Sequence, residues 1–275
     1  FLLGGYGLSV VLRDRNANHE IPIRKFSKND GQIDLFPSVD ILVAAKDEEN
    51  VVERLVERLN NIEYPQEKIS FWIIDDGSND RTPFLLDELS KKFPYINILT
   101  RSRVAGGGKS GALNDALKQV HGDWIFILDA DAQLQRDVLL RLIYFAQKGN
   151  WSAVQLRKAV VNAKKNLLAS FQAMEMAMDT VIQSGRFASG GIVELRGNGQ
   201  LINRKVLESC GGFNEQTITD DLDLSFRFLL TRSPIVIMWD PPVQEEAVES
   251  VSALFRQRKR WAEGGLQRFF DYWPL

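Results

Sequence analysis

The chemistry open to this chain rests on carboxylates. Asp75-Asp76-Gly77 follows an apolar run at residues 71–74, Asp129-Ala130-Asp131 follows another at 124–128, and Asp220-Asp221 lies behind a glycine-rich stretch. Further along stands Gln257-Arg258-Lys259-Arg260-Trp261. Carboxylates at the carboxyl ends of parallel strands face the crevice where open α/β sheets bind ligands. An Asp-x-Asp pair there suits a divalent cation held against a phosphate, because hard cations prefer oxygen ligands. Taken singly, an Asp after a strand is also an ordinary turn former. Turn formation does not account for three clusters in this order with a basic-aromatic motif behind them.

Other chemistries have little to work with. Cys210 is the only cysteine of the 275 residues, and His19 and His121 are the only histidines. That excludes an internal disulfide framework and a Cys/His zinc site, and argues against Ser-His or Cys-His nucleophilic catalysis. A formal net charge of −2 gives no case for a nucleic-acid partner. The local charge says more: Arg256, Arg258, Lys259 and Arg260 form a basic cluster. No stretch reaches the roughly 18 apolar residues of a membrane span. Residues 1–12 are apolar, and 269–273 read Phe-Phe-Asp-Tyr-Trp. One reading is a catalytic piece from between membrane segments, with an aromatic interfacial tail. The other is an ordinary core strand and core helix at the two ends.

The elements that position these residues follow from periodicity. Residues 13–38 are polar and irregular, so 1–38 reads as a lead-in segment, which in the first of those readings follows a transmembrane helix. The apolar run at 39–45, with Asp40 its one polar residue, predicts a strand buried on both faces. Val51, Val52, Leu55, Val56 and Leu59 recur at helical spacing. Strands follow at 71–74, 96–99 and 124–128. Between them lie a helix opened by Pro83 and one marked by Ala112, Leu113, Ala116 and Leu117. This β-α-β-α-β-α-β order predicts an α/β chain with a parallel, nucleotide-binding sheet. The second half reads as mixed. It has a short strand at 153–156, a Met-rich helix at 167–182, a glycine-rich loop at 185–191 and a strand at 199–203. A helix opens at Asp220-Asp221, and a basic-aromatic helix covers about 250–270. Met174, Met176 and Met178 read as core packing, and Asp223 as a helix-surface charge.

Residues 103–110, Arg-Val-Ala-Gly-Gly-Gly-Lys-Ser, nearly spell a phosphate-binding P-loop, but Arg103 stands where that pattern needs glycine. An NTPase is therefore the weaker reading. A glycine turn entering a helix still offers backbone N–H groups to an anion, and Lys109 adds a point charge.

Taken together, Lys46-Asp47-Glu48-Glu49, Asp75-Asp76-Gly77, Lys109-Ser110-Gly111-Ala112-Leu113-Asn114, Asp129-Ala130-Asp131, Thr219-Asp220-Asp221 and Gln257-x-x-Arg260-Trp261 resemble the motif series of family 2 glycosyltransferases. The resemblance runs from about Val39 to Trp261. It is strongest to the membrane-bound branch that includes cellulose and hyaluronan synthases and bacterial glucolipid synthases. It implies a GT-A fold, a Rossmann-like, mostly parallel sheet flanked by helices. It also implies an inverting, metal-dependent hexosyltransferase using a UDP-sugar, with UDP-glucose as donor and a lipid such as diacylglycerol as acceptor. The catalytic domain would span 39–275, with a nucleotide-binding half at 39–131 and an acceptor-binding half at 132–275. It would sit on the cytoplasmic side of a membrane.

By that resemblance Asp129 and Asp131 hold Mg²⁺ or Mn²⁺ on the diphosphate. Arg260 adds a fixed cation at the leaving group, and Lys109 assists. Asp75 or Asp76, with the turn from Ala44 through Lys46 to Glu48, grips uracil and ribose. Gln257 faces the donor, and Trp261 stacks on or lines the acceptor path. Asp221 is the base that deprotonates the acceptor hydroxyl. The family's motif reads Thr-Glu-Asp, so Asp220 in place of Glu leaves the pair open, and an Asp at a helix start also serves as a cap. Trp261 has an alternative use as a core anchor, and the basic run 256–260 as a solvated face or a contact to anionic lipid. Two rivals remain: a processive polysaccharide synthase carrying the same motifs, and a nucleotide-sugar sensor that needs neither base nor leaving-group cation.

Overall fold

The computed structural model describes residues 36–273. The apolar amino-terminal run and most of the lead-in segment lie outside them. One seven-stranded sheet runs in the order β3-β2-β1-β4-β6-β5-β7. Its strands are β1 (Val39–Ala45), β2 (Ile69–Asp75), β3 (Ile96–Thr100), β4 (Trp124–Leu128), β5 (Ala153–Val160), β6 (Gln200–Asn203) and β7 (Ile235–Glu245). The helices are α1 (Val52–Asn60), α2 (Thr82–Lys92), α3 (Gly108–Leu117), α4 (Val138–Gly149), α5 (Leu167–Ala188), α6 (Arg204–Ser209), α7 (Asp220–Leu230) and α8 (Val251–Tyr272).

β1 through β4 pair in parallel, as the sequence predicts. Every residue of β4 is buried, and so are all but one of β1, because helices cover both faces of the sheet. One core layer joins the sheet to α1, α2 and α4 through Val52, Leu55, Leu86, Leu142 and their neighbours. The other joins it to α3, α6 and α7 through Ala112, Leu113, Leu207, Leu224 and Phe228. Register then decides where the carboxylates fall. Ala45 pairs with Asp75, and Val43 with Leu128. Asp129 is therefore level with Ala44, and Asp75, Asp76 and Asp129 share one sheet edge.

β6 is antiparallel to both β4 and β5. The chain thus enters β6 from the functional edge, and residues 196–199 arrive beside Asp129. β5 and β7 are parallel. A bridge between Gln133 and Gln244 brings the end of β7 to the Asp131 loop.

Five expectations are corrected. Met174 and Met178 are not core: they are 55% and 57% exposed on α5, in a stripe with Leu167, Phe171 and Ile182. Asp223 is not a surface charge but is 2% exposed. Arg227 Nε (2.8 Å) and Tyr272 Oη (2.7 Å) both donate to it. The glycine-rich loop begins later than residue 185, because α5 runs on to Ala188. The N-cap of α7 is Thr219 and not Asp220, and no side-chain cap bond forms there. The carboxyl-terminal helix is not a core helix either, since Gly264 is its single buried residue. None of the helices among the described residues is long and apolar enough to cross a membrane.

Candidate active site

Three loops and one helix meet at the carboxyl edge of β1, β2 and β4. Lys109, the second residue of α3, reaches across the edge: its Nζ donates to Asp129 Oδ1 (2.5 Å) and to Gly197 O (3.0 Å). Burial works against the charge on Lys109, but Asp129 and then Asp220 outweigh it, and its pKa is raised. The same pairing, with help from Lys158 and Arg260, holds Asp129 below the usual carboxylate range against its burial. Lys109, Asp129, Asp220, Asp221 and Arg260 therefore share one electrostatic neighbourhood.

Asp131 lies in a different setting. Its Oδ2 accepts one bond, from Glu246 N (3.3 Å). Burial, with Asp129 and Glu245 nearby, pushes its pKa up. Glu48 is pushed up to about 6 by burial and by Asp131 and Asp129. Carboxylates that repel one another in this way would be relieved by a cation. Among the described residues no group of three or more His, Cys, Asp or Glu side chains is arranged to hold a metal. A pair of carboxylates fits a Mg²⁺-like ion that draws its other ligands from substrate phosphates and water.

Asp221 is partly buried at the start of α7. Its Oδ1 accepts from Leu222 N (2.9 Å). Burial and the adjoining Asp220 push its pKa up to about 6. Gly197, at φ +77°, passes so close that a Cβ there would lie 3.3 Å from Asp221 Oδ2. Its φ lies in the left-handed region that favours glycine.

The remaining sequence-predicted residues fall as follows. Asp75 is 1% exposed, and its Oδ1 accepts from Ser78 N (3.0 Å), which is the turn-forming use. Asp76 pairs with the buried Arg101, and Lys46 stands 3.9 Å from it. Ala44 lies near the end of β1. Gln257, Arg260 and Trp261 sit on α8, with Arg260 exposed. Trp261 carries the Arg258 guanidinium 4.2 Å above its ring. Arg258 also donates to Glu175 Oε2 of α5 (2.5 Å), and Lys259 pairs with Glu263 (3.6 Å). Tyr272 turns inward to Asp223, whereas Phe269, Phe270 and Trp273 are 52%, 68% and 72% exposed.

Sequence reasoning missed the residues that hold this edge together. Arg101 ties Asp76 to Asp115 Oδ2 (2.8 Å) and to Gly106 O (2.9 Å), joining the β2 loop to the glycine turn. Asn198, fully buried, accepts from Asp129 N (3.1 Å) and donates to Glu245 Oε2 (3.3 Å). Gln155 donates to Asn198 O (2.8 Å) and accepts from Arg196 N (2.7 Å). The one sequence signal was an Asn flanked by two glycines, at 197–199.

Comparison with known proteins fits this geometry. A family profile described as "Glycosyltransferase like family 2" matches residues 37–264. A beta-monoglucosyldiacylglycerol synthase of Nostoc sp. is 52% identical over 275 residues, which is all of this chain and 56% of that protein. The chain thus spans about half the length of this curated relative. Among solved structures, a mannosyltransferase of Pyrobaculum calidifontis in complex with GDP-Man and Mn²⁺ superposes with a TM-score of 0.70 at 20% identity. That match covers 98% of this chain and 75% of the other. S. aureus TarS 1-349 in complex with UDP-GlcNAc gives a TM-score of 0.57 at 16% identity, over 78% of this chain and 59% of the other. These likenesses show the GT-A fold.

Proposed function

Because this chain belongs to glycosyltransferase like family 2, we propose that it is the catalytic part of a membrane-associated glucosyltransferase. The enzyme carries glucose from UDP-glucose to 1,2-diacylglycerol, with inversion, giving a β-glucosyl glycolipid. The observation that carries the chemistry is the Lys109–Asp129 ion pair at the sheet edge, in a neighbourhood where Asp220 and Asp221 act on the charge of Lys109 and Arg260 acts on that of Asp129. The acceptor reading is supported by the relative's 52% identity along the whole chain.

In this reading residues 39–131 hold the donor and 132–275 the acceptor. Lys46, Asp76 and the Ala44–Glu48 turn hold the nucleoside. Asp131, with Asp129, would hold Mg²⁺ or Mn²⁺, which when bound neutralises charge on the diphosphate as a Lewis acid. Arg260 and Lys109 stabilise the departing UDP as fixed, preorganised cations. Asp221 takes the proton from the acceptor hydroxyl as that oxygen attacks the anomeric carbon from the opposite face. A sensor would need neither this base nor these cations. The test is the full-length protein with UDP-sugars and lipid extract, read by mass. One hexose on diacylglycerol is expected, and a ladder of oligosaccharides with no glycolipid would overturn the acceptor.

A two-chain lipid acceptor requires the site to open at a bilayer. α8 exposes Val251, Phe255, Leu266, Phe269 and Phe270, with exposed Trp273 just past its end, and α5 exposes Leu167, Phe171, Met174 and Met178. The Arg258–Glu175 ion pair joins the two helices. Such stripes rimmed by Arg256 and Lys259 suit an anionic membrane surface. The chain is expected to bind anionic vesicles weakly, less so at high salt, and Phe269→Ser with Phe270→Ser should weaken flotation further. Flotation indifferent to both salt and the double substitution would count against a docking role for α8.

A further inference from the structure

Gly264 and Gly265 are consecutive glycines inside α8, where glycine is the poorest helix former after proline. Their surroundings differ. A Cβ on Gly265 would meet nothing within 4 Å. A Cβ on Gly264 would lie 2.3 Å from Thr219 Oγ1, 2.5 Å from Thr219 Cγ2 and 2.9 Å from Thr219 Cβ. No side chain fits there, so the α8 backbone rests directly on the residue that precedes Asp220-Asp221. Three residues on, Gln267 grips the same segment from both ends of its amide: Oε1 accepts from Ile218 N (3.1 Å) and Nε2 donates to Gln216 O (2.8 Å). One turn before Gly264, about 6 Å along the axis, stands Arg260.

We infer that Gly264 and Gln267 are positioning residues, which make α8 a strut fixing the spacing between Arg260 and the Asp220-Asp221 pair. Neither side chain reaches the reacting atoms. Their effect passes through the 216–219 segment on one side and the helix backbone on the other. The nucleoside and metal grips on β1, β2 and β4 do not pass through α8, and Arg260 on α8 acts on the charge that grows as UDP departs, so a displaced strut acts on turnover far more than on nucleotide affinity. The inference rests on the reading of Asp221 as base and Arg260 as leaving-group cation.

The test uses the full-length protein in its membrane, with UDP-glucose and diacylglycerol. Gly264→Ala should lower kcat by about ten-fold or more, since misplacement by 1 Å can cost about 10²-fold, while the KM for UDP-glucose and UDP affinity stay near the parent values. Gly265→Ala, which gains the same helix propensity without the contact, should keep the parent kcat. Adding Thr219→Ala to Gly264→Ala removes the two nearest atoms and should recover part of the loss. Thr219 makes no side-chain cap bond that this would sacrifice. Should Gly264→Ala fail to accumulate, Gln267→Leu decides, with kcat again expected to fall at constant UDP affinity. Parent kcat in Gly264→Ala, or loss of UDP binding in step with kcat, overturns the strut. Asp221→Asn is run alongside. If it turns over normally, the base assignment is what fails. If it is dead while Gly264→Ala and Gln267→Leu are unimpaired, the strut is what fails.

Discussion

Asp221→Asn is expected to bind UDP-sugar nearly as the parent does and to lose turnover by about 10²–10⁴-fold. The amide keeps the shape and still accepts from Leu222 N, the one bond its side chain makes in the structure, so the loss reports the missing proton acceptor. The acid limb of kcat/KM supplies a second readout. With Asp221 pushed up to about 6 by burial and Asp220, the active carboxylate is lost as pH falls through that value. Asp220→Asn removes a negative charge beside it, stabilising the ionised form, so the limb should move to lower pH. If Asp220→Asn gives the larger loss of turnover with donor binding kept, the two residues exchange roles.

Asp131→Ala should abolish the enhancement of UDP binding by Mg²⁺ or Mn²⁺ and leave the fold intact. Its carboxylate makes one long hydrogen bond, from Glu246 N, and contributes nothing to either apolar core layer. Removing a charge that sits among Asp129, Glu245 and Glu48 also relieves repulsion, so the variant should melt no lower than the parent. Calorimetric titration of UDP with and without metal checks this. Equal enhancement in parent and variant would sink the assignment of Asp131 as ligand, and a lowered Tm would show it to be structural.

The central strands of the first half were legible in the sequence because they are largely buried and read as nearly continuous apolar runs, whereas β3, at the sheet edge, is mostly half-buried or exposed. β1 and β4 have the bounds the pattern predicts. β7 escaped notice because Asp240, Pro241 and Pro242 interrupt it. Proline argues against a central strand and is tolerated here because β7 is an edge strand. α4 escaped because a mostly apolar run does not distinguish buried helix from strand by period alone. At the site, the carboxylates could be read from their places after the strands, since parallel register brings strand ends level. Arg101, Asn198 and Gln155 could not, because their role depends on which loops the antiparallel β6 brings alongside. The α5 methionines failed for the opposite reason: an apolar stripe at helical spacing looks the same in sequence whether it faces a core or an outside surface.

The antiparallel entry of β6 bears on how the molecule is made. During synthesis β1 to β4 emerge first and pair among themselves, but the outer edge of β4 finds its partner only when Gln200–Asn203 follows. At ribosomal rates that interval is on the order of several seconds. For that time a fully apolar strand presents unpaired N–H and C=O groups, a template for pairing with a neighbouring nascent chain. The newborn polypeptide is therefore most exposed to misassembly between the completion of its first half and the arrival of β6, a window in which a chaperone would find β4 open.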